Sequence, residues 1–340
     1  MDTTVVCFGE VLLRLGAPGR ERLLQSPRLA VHVGGAEANV AVSLARFGHH
    51  AVMTGTISDN VLGQAAIGEL RRHGVDSRLM RIEPGRMGVY YLATGAGHRP
   101  SEVLYDRAHS SFALASADVY DWPALLSGAR ILHLSGITPA LGRNTADAAL
   151  AAARAAREAG AIVSFDGNFR AKLWAQWSGD PKATLCGLMA EADIAFADHR
   201  DIALMLGEPT GKESDGDERF RLAAERAFAA FPNLQRIAST VRSQHSVDHH
   251  GFSALMAMRD GTLHRAPDHA LAGIVDRIGA GDAFAAGVLH GLLTGMDDAA
   301  ALHFGLAAAC LKHSIKGDFN LVDVDDVTAL VNGDRLDVKR

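Results

Sequence analysis

"VDRIGAGDAFAAGVLHGLL", residues 275–293, sets several glycines and two carboxylates at the mouth of an alanine-rich helix. Ordered glycine costs conformational entropy and Asp is a poor helix former, so a turn serving structure alone needs fewer of both. Read as a turn that runs from Asp276 into a helix N-terminus, the segment lets Gly279 and Gly281 bend the backbone. Several N–H groups then point one way and form an anion site. Asp282 falls in the first helical turn, where the helix dipole favours a carboxylate. A carboxylate beside such a site suits phosphoryl transfer: it accepts a hydroxyl proton while the amides hold the charge that builds on the transferred group. From glycine and Asp alone, a helix cap with a packing glycine fits equally well. Two other phosphate motifs are absent. There is no G-x-x-x-x-G-K-[ST] loop, and Phe284 stands where G-x-G-x-x-G needs its third glycine.

Outward from this stretch, strands alternate with helices. "TTVVCFGEVLLRL" reads as an opening core strand broken by Gly9, and "VHVGGAEANVAVSLARFG" as a strand, a double glycine and a helix stopped by Gly48. "ARILHLSGI" and "AIVSFDGNFR" are strands around the helix "NTADAALAAARAAREAG", which Asn144 or Thr145 caps. "DIAFADHRDIALMLG" is strand then helix, "RIASTV" a strand, and helices follow at 281–294 and 298–313. Residues 85–113 break the rhythm and read as a hairpin. The alternation implies a mainly parallel sheet covered on both faces, with ligands beyond the carboxyl ends of its strands. The interruptions at 14–34 and 85–112 form a small sheet over one edge. The division expected is therefore a core of 1–13, 35–84 and 113–340, with 14–34 and 85–112 as an inserted β-sheet lid.

Composition narrows the class. At 340 residues, 48% hydrophobic and 21% charged, with 34 basic against 39 acidic residues, this is an ordinary globular chain with no nucleic-acid footprint. Cys7, Cys186 and Cys310 lie far apart with no CxxC pair and read as buried small hydrophobes in a reducing, cytoplasmic setting. No apolar run reaches about 18 residues, so no membrane span is expected. The N-terminus lacks a basic n-region, and Glu10 and Arg14 interrupt its apolar run, so no signal peptide is read.

"DRIGAGDAFAAG" resembles the C-terminal signature of the ribokinase-like (PfkB) carbohydrate kinases, and "GGAEANVAVSLARFG" their N-terminal one. "ILHLSGITPALG" and "SFDGNFRAKLW" further resemble the branch that phosphorylates 2-keto-3-deoxygluconate. The resemblance spans nearly the whole chain. It implies a three-layer α/β/α core with a small β lid that contributes to a homo-oligomer interface, and ATP with Mg²⁺. It makes Asp282 the catalytic base and the amides of Gly279, Ala280 and Gly281 the anion hole. Gly34, Gly35 and Asn39 match sugar-binding positions, where a Gly-Gly pair lets a polyol approach the backbone; Asn39 also fits a helix cap. Tyr90, Tyr105 and Arg107 match the lid residues that meet the sugar acid, with Tyr91 in reach of the first place by a one-residue slip. Ile137 falls in the matching "SGITPALG" segment, and Arg170 matches a second arginine. Two planar guanidinium forks suit a carboxylate.

On the nucleotide side the pattern departs from the family. Asp198 and Asp201 replace N-x-x-E: one helical turn apart, they organise Mg²⁺ through water or cap the following helix. The family's glycine-containing loop after "RIASTV" has no glycine here from Ala238 to His250, and Thr240 and Arg242 stand in as ATP contacts. "DHH" at 248–250 lacks the cysteines or helical spacing of a zinc site and reads as a solvated loop. Ala308 and Lys312 fall where the family borders adenine, or in plain helix packing. The leading function is an ATP-dependent sugar-acid kinase. A kinase for a neutral sugar such as fructose or ribose, and a non-catalytic sugar-binding regulator, are the other readings.

Overall fold

A computed structural model describes residues 4–207, 216–244 and 246–333. The first third of the chain holds β1 (Thr4–Phe8), β2 (Leu12–Gly16), β3 (Ala30–Gly34), α1 (Ala36–Arg46), β4 (His50–Ser58) and α2 (Val61–Arg72). Next come β5 (Met80–Glu83), β6 (Val89–Ala93), β7 (Glu102–Asp106), α3 (Ser111–Leu114), α4 (Trp122–Leu125), β8 (Ala129–Ser135) and α5 (Arg143–Glu158). The middle continues with β9 (Ile162–Asp166), α6 (Ala171–Trp174), α7 (Pro181–Glu191), β10 (Ile194–Phe196), α8 (His199–Leu206) and α9 (Gly216–Ala230). The chain closes with β11 (Arg236–Gln244), β12 (His249–Met258), β13 (Leu263–Arg265), β14 (His269–Ala272), α10 (Ala280–Leu293), α11 (Asp298–Lys312) and α12 (Val324–Val331).

The larger sheet runs β13-β12-β11-β10-β9-β8-β1-β4-β5, with β14 added to β12. From β11 to β5 every pairing is parallel, and the β12 to β14 edge is antiparallel. Its central strands are buried on both faces, as continuous apolar runs such as "TVVCF" require. Helices α1, α2, α10, α11 and α12 cover one face and α5, α7, α8 and α9 the other, each with its own apolar core. In α5 the stripe is made of alanines: Ala149, Ala152, Ala153 and Ala156 recur at helical spacing and are fully buried. Small side chains there bring the helix close to the sheet. Neither Asn144 nor Thr145 caps it. The N-cap is Gly142, and the Asn144 amide donates instead to the Leu114 carbonyl.

"TTVVCFGEVLLRL" is two strands in two sheets, because Gly9 and Glu10 turn the chain out of the core. The smaller sheet runs β3-β2-β6-β7 and starts at Leu12, two residues ahead of the expected boundary. Register places Arg14 beside Tyr90, and Tyr90 beside Tyr105, on one face. That face packs Leu12, Tyr90 and Leu92 toward Ile278, just before Gly279. The small sheet therefore roofs the carboxyl ends of the core strands. No helix among the described residues is long and apolar enough to cross a membrane.

Candidate active site

A cavity of about 900 Å³ opens between the small sheet, the carboxyl ends of β8 to β10, and the first turn of α10. Gly279 begins that turn at φ 82°, and a Cβ there would lie 2.0 Å from the Asp318 carbonyl oxygen, so only glycine fits. Asp276 shapes the turn: its Oδ1 accepts from the Ile278 amide at 3.0 Å and its Oδ2 from the Gly317 amide at 3.0 Å. Of the two carboxylates in the stretch, one builds the loop and the other faces the cavity. Gly279, Gly281 and Asp282 line it, whereas Ala280 is buried behind them with its amide turned to the Arg277 carbonyl at 3.4 Å. The first amides of α10 have no intrahelical acceptor and so face outward for an anion.

Asn39 of α1 donates its Nδ2 to Asp282 Oδ2 at 2.6 Å, which fixes the carboxylate, and its own Oδ1 is buried without a partner. Burial pushes the Asp282 carboxyl up to about 7, with Glu37 and Asp318 adding to the rise while Asn39 and Arg170 oppose it. Asp166, at the end of β9, is raised well above the ordinary range by burial and then by Asp282 and Asp201. Asp201 is pushed up to about 6 by burial and Asp198. A converging set of carboxylates thus lines the wall beside the anion turn.

On the sugar side, Gly35, Tyr90, Tyr105, Arg107, Ile137 and Arg170 all line the same cavity. Tyr90 points inward and donates its hydroxyl to Asp318 at 2.7 Å; strand alternation turns Tyr91 to the other face. The buried Arg107 donates Nε to Glu10 Oε2 at 2.6 Å, and Ser110 donates its hydroxyl to Oε1 of Glu10. Arg170 is exposed at the rim and, among the described residues, bonds the Phe169 carbonyl at 3.0 Å. Gly34 stands behind the wall, where a Cβ would meet the Asp318 carboxylate at 2.3 Å.

On the other side, Asp198, Asp201, Thr240 and Arg242 line the cavity. Asp198 and Asp201 form a capping box on α8: Asp198 Oδ1 accepts from the Arg200 amide at 2.7 Å, and Asp201 Oδ2 accepts from the Asp198 amide at 3.0 Å. The stretch read as a glycine-free loop is instead a hairpin of β11 and β12, whose polar alternation hides two strands. In it His250 is fully buried, which corrects the solvated reading of "DHH". Among the described residues no three His, Cys, Asp or Glu side chains stand together as a metal site. Ala308 and Lys312 do not line the cavity. Ala308 is fully buried where α11 packs along α10, and Lys312 lies under Gly279, donating Nζ to the Ile315 carbonyl at 2.9 Å.

Sequence reasoning passed over Glu10, Arg14, Glu37, Arg277 and Asp318. Glu37 is fully buried and accepts from the Ser135 amide at 3.1 Å, the Ser135 hydroxyl at 2.7 Å and the Thr138 hydroxyl at 2.9 Å, tying α1 to the end of β8. The available signal was a charged residue inside an apolar run, as at Glu10 and Arg14.

A sequence model of the pfkB family of carbohydrate kinases matches residues 2–322. The 2-dehydro-3-deoxygalactonokinase of Haloferax volcanii is 33% identical over 333 residues, 98% of each chain. The 2-dehydro-3-deoxygluconokinase of Bacillus subtilis is 28% identical, covering 94% of this chain and 92% of its own. The crystal structure of 2-dehydro-3-deoxygluconokinase from Thermotoga maritima superposes with a TM-score of 0.91 at 37% identity, covering 97% of this chain and all of that one.

Proposed function

The chain belongs to the pfkB family of carbohydrate kinases, and from that premise we propose that it transfers the γ-phosphoryl group of ATP to a hydroxyl of a sugar acid, 2-keto-3-deoxy-D-gluconate, giving the 6-phosphate. The observation that carries this reading is one cavity holding Asp282, the amide-rich turn, Arg107 and Arg170 together. Two guanidinium groups suit an acceptor that bears a carboxylate. Asp282 takes the hydroxyl proton, with Asn39 holding one of its oxygens in place. The amides of Gly279 and Gly281, which line the cavity, receive the charge on the phosphoryl group.

Mg²⁺ fits the acidic wall. Asp166 is raised by desolvation and then by the charges of Asp282 and Asp201, and Asp201 by desolvation and then by Asp198, which a cation would relieve. When bound with the nucleotide's phosphates it would neutralise their charge, with Asp198, Asp201 and Asp166 facing its water shell. A second copy docks on the outer face of the small sheet. There Val31, Leu15, Tyr91 and Leu104 form one cross-strand apolar row, with Val31 58% and Leu104 61% exposed. Its three unpaired cysteines suit the reducing cytoplasm.

An acceptor-by-donor matrix in a coupled ADP assay tests the function. The expected order is 2-keto-3-deoxygluconate or its galactonate epimer first, with fructose and ribose far behind. Neutral sugars outrunning the sugar acids by a wide margin would overturn the arginine argument.

A further inference from the structure

Arg242 on β11 and Arg277 in the turn before Gly279 line both the main cavity and a neighbouring one of about 350 Å³. They therefore stand on the partition between the two. Of the cavity's other arginines, Arg107 is matched to Glu10 and Arg200 to Asp198, while Arg170 at the sugar-side rim bonds a backbone carbonyl. Among the described residues Arg242 and Arg277 have no carboxylate within ion-pair distance. Arg242 instead lies over the Phe252 ring at 5.4 Å. Although Arg242 is exposed to the cavities, desolvation lowers its pKa and the like charge of Arg277 adds to the effect.

A second observation sits on the same hairpin. Pairing of Arg242 with Phe252, and of residue 244 with His250, puts Arg242 and His250 on one face. His250 is fully buried, and neither ring nitrogen has a hydrogen-bond partner. Arg277 and Arg242 both disfavour its protonation, after burial. Two unmatched guanidinium groups beside a buried imidazole with unused nitrogens make a polar, cationic pocket that its own carboxylates do not neutralise.

We propose that Arg242 and Arg277 are a two-arginine clamp for the nucleotide polyphosphate, replacing in this chain the backbone amides of a glycine loop. The clamp rests on the kinase reading, which supplies the nucleotide. Arg277 precedes the anion turn by two residues and lines the same cavity, so a phosphate chain leaving the Gly279 and Gly281 amides meets it next. Charge-assisted bonds to phosphate relieve the repulsion between the two cations. Such a clamp grips by side-chain charge, so its affinity falls with added salt.

The test uses the full chain and three readouts. Arg277→Gln and Arg242→Gln are each expected to raise the KM for MgATP about tenfold or more, the loss of a charge-assisted bond. The KM for the sugar acid should stay within about twofold, and Arg277→Lys should recover part of the loss. Calorimetry with inorganic tripolyphosphate should show binding that weakens with KCl and with either substitution. The unliganded variants should melt no lower than the parent, since a like-charge contact is removed. An unchanged tripolyphosphate affinity, a rise in sugar-acid KM instead, or a large fall in melting temperature would each overturn the clamp. Tripolyphosphate binding through the arginines in a protein that phosphorylates no sugar acid would sink the function and leave the clamp standing.

Discussion

Arg14 of the small sheet donates to Asp276 at 2.6 Å and lies 3.1 Å from Asp318, so one buried guanidinium joins the roof of the cavity to both flanks of the anion turn. Asp276 holds the Ile278 amide and Asp318 backs Gly279, so the turn's shape depends on that cation.

Replacing Arg14 by Met leaves two buried carboxylates facing each other. Breaking a buried pair in this way costs about 3–5 kcal/mol. Burial already pushes Asp318 up to about 6, with Arg14 opposing, so its loss raises that value further. An acid whose folded pKa is raised loses stability as pH climbs through it. Denaturant melts should therefore show a larger deficit for Arg14→Met at pH 8 than at pH 6, and an equal deficit at both would exclude Asp318 as the titrating partner.

The Asp282 carboxyl, raised to about 7 chiefly by burial, must be ionised to accept a proton. The pH profile of kcat/KM should rise through about 7 and then level. Because Asp166 and Asp201 are raised as well, and Asp282 raises Asp166, the limb belongs to the cluster as a whole. Arg170 opposes the rise, so Arg170→Gln should move the limb to higher pH. A limb near the ordinary carboxylate range would contradict the burial argument.

Arg107 and Glu10 separate support from recognition. Arg107→Met strands a buried Glu10 and should cost about 3–5 kcal/mol of stability, with a rise in KM for the sugar acid. Adding Glu10→Gln should restore much of the stability but not the KM. Recovery of both in the double variant would mean that Arg107 only supports the fold.

The two glycines of the turn should respond differently. At Gly279, Ala meets a positive φ and the Asp318 carbonyl, so stability and kcat fall together, the strain alone exceeding about 1 kcal/mol. At Gly281 no atom lies within 4 Å of an added Cβ, and the position faces the cavity. Gly281→Ala should hold stability within about 0.5 kcal/mol while raising the KM for ATP. Thermal melts with initial rates on both variants decide this.

The parallel core was legible because helices and strands alternate with distinct periods, and Asp282 because glycines and an acid crowd a helix start. The Arg14 bridge was not, since 262 residues separate it from Asp276 and only folding brings them together. The β11–β12 hairpin hid behind "RSQHSVDHHG", a polar run in which Arg242 faces the cavity, Ser243 and His249 are exposed and His250 is buried. Asn39 was readable as a site residue, but its hold on Asp282 required two helices to cross. Ala308 and Lys312 misled because an alanine stripe and a lysine give no clue to which side of a helix faces its neighbour.

The most direct test is Asp282→Asn, which keeps the shape of the side chain and removes the proposed base. The account predicts kcat lower by about a hundred- to ten-thousandfold, sugar-acid affinity by calorimetry nearly unchanged, and a fold at least as stable at pH 8. Turnover at the parental rate would contradict it.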